Sequence, residues 1–419
     1  MRRDIIGGKR AAGHRRDRRI RRPDPRRIRI HATEKNLTGT AGLVPFGAYI
    51  RDLGIDRMLG SFNRLKASPS VIYPMAAQMR MLLDTMVAGE ERVFGLESLS
   101  ADPLFVYLSG GEVPSLDTCY RDLRRFDKDA LVQLHELAVK QGLAPALGLK
   151  RPIVHIDIDP TVEPLFGSQE GALPGYNPRY HGRQSYHPIL VRIAETDTIV
   201  GAVLRPGNTS LGADDVPWIE EQIDRVRKVI SPETVLYTRI DAGGDCTAIL
   251  NAITDKGSLF VVKAKQTPDL LGAVHAVQNW RTVDVDADGK PRVQVAEIPF
   301  SRACWGERRY RVIAVRTRER ESGEELFLWE GLDMSIQIFI TNEWAEVPED
   351  VAHRYNLRAG MEPLIGDLKY GWGIGKIPSQ SFDANHAMLL LKVLAYNLMR
   401  RYVSALFPER PGWPRHLDL

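Results

Sequence analysis

Three carboxylates stand out by where they fall in the sequence. Asp159 ends an alternating stretch, Val154-His155-Ile156-Asp157-Ile158-Asp159, and is followed by Pro160-Thr161. Asp241 ends a second apolar stretch and is followed by Ala242-Gly243-Gly244, whose small residues allow a ligand close to the backbone. Glu362 lies in a helical segment in which Tyr355, Arg358, Glu362 and Lys369 are spaced 3, 4 and 7, which puts all four on one face of a continuous helix. Carboxylates without His or Cys make a hard-oxygen site suited to Mg²⁺ or Mn²⁺. Two such ions about 4 Å apart activate water or a 3′-hydroxyl and stabilise the leaving oxygen of a phosphodiester displacement. Arg358 and Lys369 suit the same substrate, because cations hold phosphate while the carboxylate holds metal. Singly, each has a plainer reading: a strand-end Asp is commonly a turn residue, and Glu362 with its cations a salt-bridged helix face. Their conjunction is what points to chemistry.

The elements around these residues predict an α/β core. Period-two alternation over Val154–Asp159 makes a strand with Asp157 and Asp159 on one face. Further strands are expected at Tyr186–Ala194, Thr198–Leu204, Val235–Asp241 and Leu259–Ala264, with helices at Asp214–Val229 and Thr247–Thr254. Strands in succession, then strands alternating with helices, give a mixed sheet with helices on its faces. Ligands then sit at the carboxyl ends of the strands, where Asp159 and Asp241 fall.

The chain divides into five segments: a basic arm over 1–34, a helical domain over 35–150, a first core segment over 151–264, a β-rich insertion over 265–341, and a second core segment with closing helices over 342–419. The insertion carries a short helix near Leu270–Trp280 and strands at Arg311–Arg316, Glu325–Trp329 and Gln337–Thr341. In the helical domain Ser115 is an N-cap, and the helix Leu116–Phe126 brings Arg121, Arg124 and Arg125 near one face. That face either meets DNA phosphates or is simply solvated.

Charge and composition narrow the class. The 419 residues carry 57 Lys and Arg against 53 Asp and Glu, a net +4. Residues 1–30 alone hold 13 basic side chains and three Asp, so an arm of +10 precedes a body of −6. Such an arm binds polyanions with salt-sensitive, sequence-independent affinity; otherwise it is a solubilising tail or follows from an upstream start codon. At 43% hydrophobic and 26% charged the chain is neither disordered nor collagen-like. The longest apolar run, Ala387–Leu398, is broken by Lys392 and is too short for a bilayer. No secretory signal is legible at the N-terminus, and Cys119, Cys246 and Cys304 lie too far apart for a zinc motif. An intracellular, cytoplasmic protein is expected.

The motifs taken together resemble a known family. Thr341-Asn342 followed by Tyr355, Arg358, Glu362 and Lys369 looks like the Tyr/Arg/Glu/Lys signature of bacterial insertion-sequence DDE transposases. His155–Thr161, Gly167–Gly171, Leu204–Asn208, Arg239–Asp241, Phe382–Asn385 and Leu394–Leu398 match the group numbered 1380, in order, across about residues 40–405. The resemblance implies a ribonuclease H-like mixed-sheet catalytic core with a β-rich insertion, preceded by an α-helical DNA-binding domain. It implies Asp159, Asp241 and Glu362 as the triad binding two Mg²⁺ or Mn²⁺, with Tyr355, Arg358 and Lys369 on the DNA backbone. Asp157 competes with Asp159 for the first position and is otherwise a partner of it or a solvated residue; Asp159, two residues before Thr161, is preferred. The implied activity is end cleavage at terminal inverted repeats and joining of 3′-hydroxyls to target DNA. The implied partners are double-stranded DNA and a second copy in a dimeric synaptic complex, placing the protein at the bacterial nucleoid. The alternatives are an inactive or domesticated DNA-binding repressor and a stand-alone metal-dependent nuclease.

Two departures from the family pattern bear on mechanism. Where characterised relatives place a base-stacking Trp in the last insertion strand, this chain has Gln337; Trp305 and Trp329 are the candidates to replace it, each otherwise read as a buried β-sheet Trp. Pro363 follows Glu362, and because an interior Pro costs a helix about 3 kcal/mol, the helix is expected to kink or begin there.

Overall fold

The computed structural model describes residues 37–68, 70–175, 181–318 and 334–408. Among the described residues seven α-helices come first: α1 (Leu43–Asp52), α2 (Ile55–Leu59), α3 (Met75–Val87), α4 (Leu96–Leu99), α5 (Pro103–Leu108), α6 (Leu116–Leu123) and α7 (Lys128–Leu143). Ser115 caps α6, its hydroxyl accepting from the Thr118 N–H at 3.4 Å. The helix ends at Leu123, so Arg124 and Arg125 fall beyond it; Arg125 turns to Asp122 at 2.8 Å, while Arg121 and Arg124 are exposed.

The sheet follows the alternation closely. Strands β1 (Ile153–Pro160), β2 (Glu163–Pro164), β3 (Leu173–Pro174), β4 (Gln184–Tyr186), β5 (Ile189–Ile193) and β6 (Thr198–Val203) precede α8 (Val216–Arg227), β7 (Val235–Ile240), α9 (Thr247–Asp255) and β8 (Leu259–Lys263). The sequence then adds α10 (Pro268–Ala276), β9 (Arg281–Val285), β10 (Pro291–Glu297), β11 (Arg311–Arg318), β12 (Met334–Thr341), α11 (Pro348–Asn356), α12 (Met361–Tyr370) and α13 (Phe382–Leu406). The expected strand at Glu325–Trp329 lies outside the described residues, as do the basic arm and Trp329.

β6, β5, β1, β7 and β8 lie side by side in that order. β5 is antiparallel to both its neighbours, while β1, β7 and β8 run parallel. In chain order this is the 3-2-1-4-5 arrangement of a ribonuclease H-like core. The α8 and α9 crossovers return each parallel strand to the sheet, as parallel pairing requires. The inserted strands do not form a sheet of their own: β12 pairs antiparallel with β8, and β11, β10 and β9 continue outward, giving nine strands among the described residues.

The two faces of the sheet bury different partners. Val154, Ile156 and Ile158 of β1 pack with Ile219, Ile223, Ile249 and Ile253 of α8 and α9. On the opposite face, Leu190, Ile199 and Ala202 join a core shared by α1, α3, α7, α12 and α13, so the N-terminal helices and the closing helices bury one another. α11 covers the inserted strands through Val351, Ala352 and Tyr355. Among the described residues no helix is long and apolar enough to cross a membrane.

Candidate active site

β1 carries its apolar residues to one face and His155, Asp157 and Asp159 to the other, which brings two acids under α11 and α12. In the β1–β7 register Asp157 lies opposite Arg239 and Ile158 opposite Ile240, so the next residues, Asp159 and Asp241, leave adjacent parallel strands side by side. Strand spacing there is about 4.8 Å.

Asp157 is fully buried and its charge is already met. Arg239 donates through Nε at 2.6 Å and Nη2 at 2.9 Å, and its Nη1 reaches the Arg354 carbonyl at 2.9 Å. Arg192, opposite on β5, adds a second cation at 3.7 Å. Asp159 is less well compensated. It is 8% exposed, and among the described residues its ion-pair contact is Arg358 Nη2 at 3.0 Å. Burial pushes its carboxyl up to about 7 against the pull of Arg358, and the negative charge of Asp241 pushes the same way.

Asp241 is half-buried and caps the tight turn that follows, accepting the Gly243 N–H at 2.9 Å. Gly244 is needed for the fold-back itself: a Cβ there would sit 2.3 Å from the Ile240 side chain, while one on Gly243 would press on Asp241 Oδ1 at 2.9 Å. Asp245 then pins the turn to the inserted region through Arg302 and the Lys265 N–H, the latter at 2.7 Å.

The helical signature is not one continuous helix. α11 tightens into a 3₁₀ turn over Leu357–Gly360 before α12 begins at Met361, although the backbone keeps right-handed helical torsions throughout. At 3.0 rather than 3.6 residues per turn, four residues advance the phase by roughly 80°. Tyr355 and Arg358 point inward; Glu362, in the first turn of α12, is exposed. Pro363 is the third residue of α12, where a backbone N–H has no intrahelical acceptor, so it starts the helix without breaking it. The expectation of four residues on one face is therefore corrected. Among the described residues no group of three or more His, Cys, Asp or Glu is close enough together to hold a metal ion.

Tyr355 packs on Phe339 with the rings tilted, centroids 4.8 Å apart, and burial raises its hydroxyl to about 12 beside Arg358. Lys369 donates to the Val162 carbonyl at 2.9 Å and lies 3.1 Å from Glu163 Oε1. In this conformation the three residues expected on the DNA backbone contact protein. Trp305 is 2% exposed among Phe300 and Tyr310, and Gln337 lies within β12.

Asp159 and Asp241 fit a divalent cation: two oxygen donors at adjacent strand ends, one of them buried and short of positive charge. Sequence reasoning missed Glu163, Arg239 and the fully buried Lys392. Glu163 was signalled by the alternation Asp157, Asp159, Thr161, Glu163 running on past Pro160, and Arg239 by a lone cation in an apolar strand. Lys392 of α13 donates to the carbonyls of Gly373 and Lys376, and burial pulls it down to about 7.

Comparison with known proteins adds the following. A family described as transposase DDE domain, group 1, matches residues 21–411. A search of curated proteins gives no significant match. Among solved structures, the cryo-electron microscopy structure of a piggyBac transposase synaptic complex with hairpin DNA is similar over 90% of this chain and 77% of that one, with 13% identity and a TM-score of 0.45.

Proposed function

Because the chain belongs to the transposase DDE domain family, group 1, we propose that it is a metal-dependent DNA transposase that cuts at the terminal inverted repeats of its own element and joins the 3′-hydroxyl ends to target DNA. The observation that carries this reading is the pairing of Asp159 and Asp241 at adjacent strand ends, with Asp159 buried and incompletely neutralised. The Tyr355, Arg358, Glu362 and Lys369 spacing and the flanking motifs further suggest the insertion-sequence group numbered 1380.

In this reading Asp159 and Asp241 are the first two ligands and Glu362 the third. Two Mg²⁺ or Mn²⁺, when bound, supply an activated water or 3′-hydroxyl and neutralise the leaving oxygen. The chain's own residues set the stage. Arg358 pairs with Asp159, and would be available to a DNA phosphate if a cation met that charge instead. Tyr355, wedged on Phe339, fixes the start of the 3₁₀ turn and so the direction of Arg358. Asp157, held by Arg239, keeps β1 and β7 in the register that sets Asp159 beside Asp241. Glu362, exposed in the first turn of α12 beside the buried Met361 and Leu364, is the third carboxylate in this reading. Both element ends must be handled together, so a dimer is the expected active form.

The test uses linear DNA carrying the element ends, taken from the sequence flanking the gene, incubated with protein and Mn²⁺. Cleavage at the ends that is lost in Asp241→Asn while DNA binding persists supports the proposal. Binding without cleavage by the unsubstituted protein shows an inactive DNA-binding protein, and cleavage indifferent to end sequence shows a nuclease.

A further inference from the structure

We propose that Glu163 is a positioning residue for DNA cleavage, acting through Lys369 to hold the helix that carries Glu362 against the strand segment that carries Asp159. The proposal rests on the functional reading above and gives Lys369 a role other than gripping DNA.

Glu163 lies in β2, four residues past Asp159, and is 5% exposed. A carboxylate buried this deeply is tolerated only when paired. Its partner is Lys369, in the last turn of α12, which also donates to the neighbouring Val162 carbonyl. The loop after α12 closes over the pair: a Cβ on Gly375 would stand 2.2 Å from Glu163 Oε2, so the chain passes directly against that carboxylate. Lys392 secures that loop from beneath through the carbonyls of Gly373 and Lys376.

The geometry is a two-point clamp. At one end of the helical run Arg358 holds Asp159; at the other, eleven residues on, Lys369 holds Val162 and Glu163. Glu362 lies between the two anchors. The segment 158–163 and the helical run 358–369 are thus tied to each other at both ends. Burial raises the Glu163 carboxyl while Lys369, Lys392 and Lys376 draw it down, which leaves its charge dependent on those lysines. Lys369, with two protein contacts in this clamp, does its work by fixing α12.

The test compares the full-length protein with Glu163→Gln, Lys369→Met and the double variant, using a duplex bearing the element end. Three quantities are read: cleavage rate in Mn²⁺, affinity for the duplex as a function of salt, and Mn²⁺ binding without DNA by electron paramagnetic resonance. The clamp predicts that each single substitution slows cleavage at least about tenfold and weakens Mn²⁺ binding by roughly tenfold. Duplex affinity and its salt dependence stay at wild-type values, and the double variant is no worse than the poorer single one. If Glu163→Gln unfolds, Lys369→Met at its half-buried position decides alone by the same readouts. Wild-type cleavage and Mn²⁺ binding in Glu163→Gln overturn the proposal. So does a Lys369→Met protein whose duplex affinity falls with a salt slope smaller by about one, which marks a lost phosphate contact. Failure of the unsubstituted protein to cut the ends counts against the functional reading instead, and the Mn²⁺ titrations still decide the clamp.

Discussion

At the scale of single residues, β1 shows how neighbouring carboxylates two positions apart acquire different characters. Asp157 is met by two arginines across the sheet and Asp159 by one, so the first is a structural ion and the second is left with unmet charge. Removing one side of a buried pair strands the other, so Asp157→Asn is expected to destabilise the protein by about 3–5 kcal/mol, read by urea denaturation. Little or no change in midpoint would show that Arg239 is satisfied elsewhere. The sequence already distinguished the two by position, because Asp159 ends the strand. The arginines were not legible: Arg239 is 82 residues away from Asp157 and meets it only through strand register. The same applies to Lys369, whose spacing from Glu362 suggested a shared face and whose partner comes from β2.

At the scale of elements, the edge strand β6 is a liability that side chains close. Asn397 of α13 accepts the Ile199 N–H at 2.9 Å and donates to the carbonyls of Ile199 at 2.8 Å and Ala138 at 3.0 Å, tying β6, α7 and α13 together. Gly142 leaves room for this contact, since a Cβ there would stand 2.0 Å from the Ile199 carbonyl oxygen. Asn397→Ala leaves buried backbone groups unpaired and is expected to cost about 2–4 kcal/mol, with faster amide exchange at Ile199. Unchanged stability would mean that water or neighbouring groups replace the amide. The strands and helices of the core were readable from periodicity, and Pro363 marked the restart of a helix. The 3₁₀ tightening over Leu357–Gly360 was not readable, because no residue in Leu-Arg-Ala-Gly forbids an α-helix. That single turn is why Glu362 leaves the face of Tyr355 and Arg358.

The same packing has a consequence for acid stability. His135 of α7 and His386 of α13 are each pushed down to about 4 by burial, with Arg225 adding to the effect on His135 and His135 adding to that on His386. A histidine whose folded pKa lies below its unfolded value of about 6.5 supports the fold fully above that pH and loses its contribution as pH falls toward 4. His386→Phe, which removes one of the pair, is therefore expected to gain on the wild type in Tm between pH 7 and pH 5. A Tm difference constant across that range would show that these imidazoles do not titrate with folding.

At the scale of the whole molecule, the nearly neutral balance conceals a division of labour. An acidic body suits a site that needs metal ions, and the concentrated cations of the arm lie outside the described residues. The inserted strands extend the central sheet outward from β8, so the region read from sequence as a β-rich insertion shares the sheet whose inner strands β1 and β7 lead into Asp159 and Asp241. Short strands reveal themselves by alternation, but which edge they join depends on partners far away in the chain.

The central claim is that Asp159 and Asp241 hold a divalent cation for cutting DNA. Its most direct test replaces an oxygen ligand by sulfur, which binds Mn²⁺ better than Mg²⁺. Asp241→Cys is assayed for 3′-hydroxyl formation at the element end in each metal. The account predicts cleavage by the unsubstituted protein in both metals, and by Asp241→Cys in Mn²⁺ but not in Mg²⁺. Wild-type cleavage by Asp241→Cys in Mg²⁺ would contradict it.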